Sequence, residues 1–150
     1  MQKMIFVAAI VIVFIAVSIL PAFSQINGNG LSINQERFLN AIKIVENWKG
    51  KDGMDGEKGP YQITAKTWYQ YTIEEFTDAN VDKLGKEIAI IHLNWISIQL
   101  KKNHYPETSF NFAIVWCAGW GAFNKANYSP AKIDYALRVQ NIYLDKDVRP

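Results

Sequence analysis

The spacing of apolar residues along the chain indicates α-helices and no clear strands. Apolar residues recur at steps of three and four in segments 38–45, 81–98 and 133–143, which is the period of one helix face. A further apolar run occupies residues 110–117. The middle segment carries additional apolar residues off its main stripe, so we expect it to form a central helix that is buried on most sides. The pattern predicts an all-α fold.

Residues that begin and end helices stand at the borders of these segments. Ser32 and Gln35 match a capping box, which predicts a first helix over about residues 33–48. Gly50 can end that helix in the left-handed conformation, and Thr64 can cap a short helix after it. The expected N-terminal caps of the three later helices are Asp78 or Asn80, Thr108 or Ser109, and Ser129 with Pro130 after it. Gly119 and Gly121 are expected to break the helical pattern between the last two of these.

The N-terminal 24 residues have the pattern of an export segment. Lys3 precedes 17 uncharged residues over 4–20, and Ala22-Phe23-Ser24 places small residues at the −3 and −1 positions of a cleavage site. The same run is at the short edge of what spans a bilayer, so an uncleaved membrane anchor remains an alternative. Either reading predicts an exported protein that is periplasmic, secreted or held at the cell envelope.

The predicted organisation is a signal peptide or anchor over residues 1–24, a tether over 25–31 and one helical domain over 32–150. Sixteen Lys and Arg oppose fourteen Asp and Glu, a net charge of +2, which gives no strong field for nucleic acid. One cysteine excludes an intramolecular disulfide and a Cys-based zinc cluster, and two histidines argue against a His-rich metal site. We expect a monomer with no metal and no organic cofactor, and Cys117 as a small buried hydrophobe.

Glu46 occupies a position where a carboxylate is unexpected. It follows Leu39 and Ile42 by seven and four residues on the first predicted helix, so the three share one apolar stripe. Contact with apolar groups removes hydration from a carboxyl and raises its pKa. A protonated acid in an apolar cleft is what a glycosidase uses to protonate a leaving-group oxygen. The alternative is a glutamate at a helix end that extends to solvent.

A turn with ligand-binding potential follows, at Gly59-Pro60-Tyr61-Gln62-Ile63. Gly and Pro favour a tight turn that lets the backbone approach a ligand. Gln62 carries both a donor and an acceptor, which suits an N-acetyl group or a sugar hydroxyl. The glycine-rich segment 49–60 before it is interpreted as a solvated loop, and its acids do not match the helix-loop-helix calcium pattern.

The order of these segments resembles the SLT-type lytic transglycosylases of the lysozyme-like superfamily. Glu46 stands sixteen residues before Gln62, similar to that family's catalytic Glu and the Gly-x-x-Gln-Ile turn after it. Segment 113–119 (AIVWCAG) is similar to the family's Ala-Tyr-Asn-Ala-Gly block, and 135–143 (YALRVQNIY) to its closing Tyr-Val-x-Arg-Val…Tyr helix. The resemblance implies a lysozyme-like all-α fold and peptidoglycan glycan strands as the substrate.

The resemblance also implies the site residues. Glu46 would be the single acid and base that cleaves the bond between N-acetylmuramic acid and N-acetylglucosamine. The residues expected to bind substrate are Asn47, Tyr61, Gln62, Trp116, Trp120 and Tyr135, in a cleft between the Glu46 helix and segments 61–62 and 116–120. The chain departs from the family at Asn47, where Ser is usual, and at Trp116 and Cys117, where Tyr and Asn are usual.

Two other activities stay open from the sequence. A hydrolytic muramidase of the same fold would need a second carboxylate near the first. The candidates are Asp52, Asp55, Glu57, Glu74 and Glu75, none of which has a distinctive sequence context. A non-catalytic peptidoglycan-binding relative is the other alternative, and the departures at Trp116 and Cys117 would fit it.

Overall fold

Six α-helices and one 3-10 helix make up the regular structure of the described residues. The computed structural model describes residues 31–46 and 49–147, which belong to one unit beginning at Leu31. The helices are α1 (Gln35–Glu46), α2 (Ala65–Tyr71), a 3-10 helix (Phe76–Asn80), α3 (Asp82–Lys102), α4 (Ser109–Ala118), α5 (Trp120–Asn124) and α6 (Pro130–Leu144).

The all-α prediction is confirmed for these residues. They contain no strand, and the one isolated β-bridge among them joins Lys58 to Ile63. The predicted export segment, the tether up to residue 30, and Asn47 lie outside the described residues. None of the helices within the described ranges has the length and apolar character needed to cross a membrane.

The first helix begins two residues later than its sequence predicts, because a different residue caps it. The Asn34 side chain accepts a hydrogen bond from the Arg37 N–H at 3.0 Å, which satisfies a free donor of the first turn. Ser32 instead donates its hydroxyl to the Glu107 carbonyl at 2.9 Å, so the predicted capping box is wrong. Gly50 has the predicted left-handed conformation, with φ of 78°.

The central helix α3 is buried along a stripe that differs from the predicted one. The predicted stripe includes Val81 and Ile98, which are 49% and 45% exposed. The buried residues of α3 follow steps of three and four along another face: Gly85, Ala89, Leu93, Ile96 and Leu100, with Ile88 and Ser97 beside them. Periodicity cannot choose between two adjacent apolar stripes on one helix, and the neighbouring helices decide between them.

The ends of the later helices also correct several predictions. Asp78 and Asn80 lie inside the 3-10 helix, and α3 begins after Val81 with no side-chain cap. Thr64 and Thr108 cap α2 and α4 as predicted, each accepting from a backbone N–H at 3.2 Å. Gly119 separates α4 from α5 with φ of 79°, whereas Gly121 lies within α5 and breaks nothing.

One part of the core lies where α1, α4 and α6 meet, and another is formed by buried residues of α3. Phe38 of α1 is fully buried, and its ring packs edge-on against Phe112 of α4 and Tyr143 of α6, with ring centroids 5.8 and 6.1 Å away. Both α1 and α4 pack against α6. The C-terminal end of α1, the last turn of α4 and the first half of α6 are thereby brought together on one side of the domain.

Candidate active site

A cleft of about 260 Å³ lies beside the C-terminal end of α1. Its wall combines the end of α1, the loop that follows it, the end of α4 and the start of α6. The lining residues are Glu46, Gly53, Met54, Asp55, Glu57, Gln62, Thr64, Trp116, Cys117, Lys132 and Tyr135. Four of the seven sequence-predicted site residues, Glu46, Gln62, Trp116 and Tyr135, therefore share one cavity.

Glu46 is half-buried in this wall, and its carboxylate is hydrogen-bonded across the cleft. The Tyr135 hydroxyl donates to Glu46 Oε1 at 2.6 Å. Burial is the main influence on the Glu46 pKa and raises it, and the negative charge of Glu57 raises it further. The Tyr135 hydrogen bond and the positive charges of Lys132 and Arg138 act in the opposite direction. The net effect is a raised pKa, as the apolar stripe of α1 predicts.

Tyr135 is held as a hydrogen-bond donor. Burial and the nearby Glu46 carboxylate raise the pKa of its phenol well above the ordinary value, so the hydroxyl stays protonated. Because Tyr135 donates to Oε1 of Glu46, Oε2 is the oxygen available to carry a proton when the carboxyl is neutral. In this pair, Oε2 of Glu46 can act as the proton donor, and the hydrogen bond from Tyr135 holds Oε1 in place.

The glycine-rich loop after α1 is largely exposed, in agreement with its interpretation as a solvated loop, but it also forms one wall of the cleft, which the sequence did not show. The Glu57 carboxylate accepts a hydrogen bond from the Asp55 N–H at 3.0 Å, and the Glu57 carbonyl accepts one from the Gly53 N–H at 2.7 Å. A Cβ atom at Gly53 would lie 2.3 Å from Glu57 Oε2 and 2.6 Å from Gln62 Oε1. Both atoms are the ends of flexible side chains, so a larger residue at position 53 would displace the Glu57 and Gln62 side chains that line the cleft.

Gln62 lines the cleft in a strained turn. Its φ of 46° is in the left-handed region, and both its backbone N–H and its side-chain amide donate to the Gly59 carbonyl, at 3.0 and 2.8 Å. The side-chain oxygen lies beside Gly53. The Gln62 side-chain amide therefore donates within the turn, whereas its Oε1 faces the glycine-rich loop.

Trp116 forms the α4 side of the cleft and is supported from behind by a ring cluster. His92 of α3 packs against Trp116 with ring centroids 5.3 Å apart and stacks on Trp95 at 5.4 Å. The Tyr71 hydroxyl is 3.0 Å from His92 Nδ1. Burial lowers the pKa of His92 to about 4, so the imidazole is neutral at physiological pH.

Cys117 is half-buried and lines the cleft, so its prediction as a buried residue is only partly correct. Its Sγ lies 3.6 Å from the Ile114 carbonyl and 3.8 Å from the Lys132 carbonyl. Burial raises the pKa of the thiol to about 11. A thiol with this pKa stays protonated at neutral pH, which makes it a poor nucleophile.

Three of the predicted substrate-binding residues are not placed in the cleft. Tyr61 is 2% exposed, because the turn directs it into the core and its neighbour Gln62 outward. The Lys43 ammonium lies 5.6 Å from the Tyr61 ring centroid. Trp120 packs against Tyr105 and Phe123 on the far side of Gly119. The prediction of Asn47 falls outside the described residues.

Among the described residues, no group of three or more His, Cys, Asp and Glu side chains could hold a metal ion. Comparison of the chain with protein-family models, with curated proteins and with solved structures finds no match in any of the three.

Proposed function

We propose that this protein is a lytic transglycosylase with a lysozyme-like fold, which cleaves the β-1,4 bond between N-acetylmuramic acid and N-acetylglucosamine in peptidoglycan. The observation that carries the proposal is Glu46, a half-buried carboxyl with a raised pKa in the wall of a cleft, hydrogen-bonded by a phenol. A carboxyl whose pKa is raised in this way is suited to general acid catalysis.

In the first step, Glu46 Oε2 donates its proton to the glycosidic oxygen as the bond to the muramic acid C1 breaks. The N-acetyl group of that sugar attacks C1 and stabilises the positive charge that develops there. Glu46 is then ionised. The Tyr135 hydroxyl, 2.6 Å from Oε1, stabilises the anion by donating to it.

In the second step, Glu46 acts as the base. It takes the proton of the C6 hydroxyl of the same sugar, whose oxygen attacks C1 and displaces the N-acetyl oxygen. The product is a 1,6-anhydro sugar, no water is consumed, and Glu46 is protonated again. One carboxylate serves both steps, so this route does not require a second acid.

The position of Tyr135 supports this assignment despite the departure at Trp116. The resembled family places a phenol near its catalytic acid from the segment that here carries Trp116. In this chain a phenol reaches Glu46 from α6 instead, while Trp116 contributes a flat ring to the same cleft. A ring of this kind suits stacking against a sugar.

Hydrolysis by a muramidase of the same fold is the second candidate. The position of the glycine-rich loop supports it, whereas the sequence context of the loop carboxylates does not. Asp55 and Glu57 line the same cleft as Glu46. Paired carboxylates that activate water or form a covalent intermediate lie about 5–9.5 Å apart in glycosidases. Glu57 is half-buried and fixed by the loop, so it is the better candidate of the two for such a role.

The cellular setting is part of the proposal. An exported domain, either released by cleavage before Gln25 or tethered to the membrane by residues 1–24, would meet its substrate in the cell envelope. Peptidoglycan strands are then its partner, and the activity needs no metal or organic cofactor.

Mass analysis of purified peptidoglycan digested by the protein and by its Glu46→Gln variant tests the proposal. Anhydromuramoyl products from the wild type alone are the expected result, because Gln is nearly isosteric with Glu but cannot donate the proton. The folded state disfavours the ionised form of Glu46, so Glu46→Gln should be at least as stable as the wild type at neutral pH.

Other products would change the assignment. Reducing muramic acid ends, heavier by one water, would establish hydrolysis and direct attention to Glu57. Intact peptidoglycan with folded protein bound to it would favour a binding protein without turnover. Equal cleavage by wild type and Glu46→Gln would exclude Glu46 as the acid.

A further inference from the structure

The charges in the cleft are unevenly distributed. Glu46, Asp55 and Glu57 are acidic, and Lys132 is the one lysine or arginine among the described lining residues. Lys132 is exposed and forms no ion pair with any described residue, although three carboxylates line the same cavity. Lys58, in the loop opposite, is by contrast paired with Asp52.

The position of Lys132 in its helix is unfavourable. It is the third residue of α6, which begins at Pro130 and has no acidic residue in its first turn. The helix dipole destabilises a cation at this end. A residue that departs from its local preference in the wall of a cleft is a candidate for a role in function.

Lys132 also lines the same cavity as Glu46 and acts on it electrostatically. Its carbonyl is 3.8 Å from Cys117 Sγ, and its positive charge acts on both Glu46 and Cys117. A ligand group bound to the ammonium would therefore share the cleft with the bond that Glu46 is proposed to cleave. The surrounding carboxylates would repel an anion from the rest of the cleft.

We propose that Lys132 is a specificity residue that binds a carboxylate of the glycan strand and so sets the register of the strand in the cleft. The inference rests on the proposed function. In peptidoglycan only alternate sugars, the muramic acids, carry a lactyl group and its peptide, and these supply the carboxylates. One cation beside Glu46 is enough to place a muramic acid, rather than a glucosamine, at the cleavage position.

The carboxylate has two sources. In strands without peptides the lactyl group itself ends in a free carboxylate. In peptide-bearing strands the lactyl carboxyl is an amide, and the carboxylates belong to the stem peptide. Both would make the same charge-assisted hydrogen bond to Lys132.

Calorimetric binding to three saccharides of equal length tests the proposal, with Glu46→Gln as the background so that no ligand is cleaved. The ligands are a neutral N-acetylglucosamine oligomer, a strand stripped of peptides and a peptide-bearing strand. The background protein should bind at least one anionic strand roughly tenfold or more tightly than the neutral oligomer, the size expected of one hydrogen bond to a charged group. The strand that shows the preference identifies the source of the carboxylate.

Three variants in this background define the role of Lys132. Lys132→Ala should remove the preference, and Lys132→Arg should retain most of it. Lys83→Ala is the matched control, since Lys83 is exposed, also lies in the first turn of a helix and is not in the cleft lining. It should leave all three affinities unchanged.

The inference and the proposed function fail in different ways. A preference that survives in Lys132→Ala, or equal binding of all three saccharides, overturns the role of Lys132 and leaves the catalytic proposal intact. Failure to bind any of the three, together with uncleaved peptidoglycan from wild type, overturns the proposed function and the inference with it.

Discussion

At the scale of single residues, two neighbours with opposite effects adjust the protonation of Glu46. The Tyr135 hydroxyl stabilises the ionised carboxylate and lowers its pKa, while the negative charge of Glu57 raises it, both on top of the larger effect of burial. Their contributions come from different elements, α6 and the glycine-rich loop. The acid strength of Glu46 therefore depends on how these elements are placed around the end of α1.

Replacing each neighbour should move the pH profile of cleavage in opposite directions. The rate needs protonated Glu46, so it falls as pH rises through the Glu46 pKa. Tyr135→Phe removes a hydrogen bond to the anion, which raises that pKa and moves the alkaline limb to higher pH. Glu57→Gln removes a negative charge, which lowers the pKa and moves the limb to lower pH.

The measurement is the initial cleavage rate against pH for wild type and both variants, with circular dichroism to check folding. The amide oxygen of Gln can still accept the Asp55 N–H, so the loop should be retained in Glu57→Gln. Shifts of both variants in the same direction would contradict the assignment of Glu46 as the titrating acid.

At the scale of elements, two glycines with similar φ have different reasons to be glycine. Gly59 has φ of 73°, and a Cβ there would lie 1.9 Å from the Ala79 carbonyl oxygen. Gly119 has φ of 79°, and a Cβ there would meet nothing within 4 Å. Gly59 allows the Gln62 turn to pack against the 3-10 helix, and Gly119 provides the break between α4 and α5.

Alanine substitutions at Gly59 and Gly119 should distinguish the energetic cost of a positive φ from the additional cost of a collision with the backbone. Gly119→Ala should cost about 1–3 kcal/mol of unfolding free energy, the range for a backbone conformation that side chains rarely adopt. Gly59→Ala adds a collision with backbone, so its cost should be clearly larger, and the displaced turn should also weaken saccharide binding. Urea denaturation of both variants checks the order, and equal losses would contradict it.

At the scale of the whole molecule, the core that joins α1, α4 and α6 also positions the site. Phe38 packs between Phe112 and Tyr143, and the helices it joins carry Glu46 and Tyr135. The hydrogen bond between those two residues spans 89 positions of sequence. Its 2.6 Å distance therefore depends on the packing of helices that are remote in the chain.

Truncation of this core should be costly in both stability and activity. Phe38→Ala should lower the unfolding free energy by about 3–5 kcal/mol, through lost burial and a cavity. Ile98→Ala is the control, since Ile98 is 45% exposed on α3 and its loss should change stability by no more than about 0.5 kcal/mol. Thermal or urea unfolding distinguishes them, and a cost for Ile98→Ala equal to that of Phe38→Ala would mean that the core is assigned incorrectly.

The sequence by itself determined what depends on near neighbours. Apolar spacing identified the all-α class and the approximate positions of α1, α3, α4 and α6, but not the 3-10 helix or α5. Short-range chemistry identified the caps at Thr64 and Thr108 and the left-handed Gly50. The direction of the Glu46 pKa shift could also be predicted, because Glu46 shares an apolar stripe with Leu39 and Ile42 on its own helix.

Only the tertiary structure decided which residues share the cleft. The sequence did not show that Glu57 and Lys132 face the same cavity as Glu46, that Tyr135 would hydrogen-bond Glu46, or that Tyr61 and Trp120 would lie outside the cleft. It also could not choose the buried stripe of α3. Periodicity reports that a face is apolar but not which element covers it, and that is decided by the packing of helices distant in sequence.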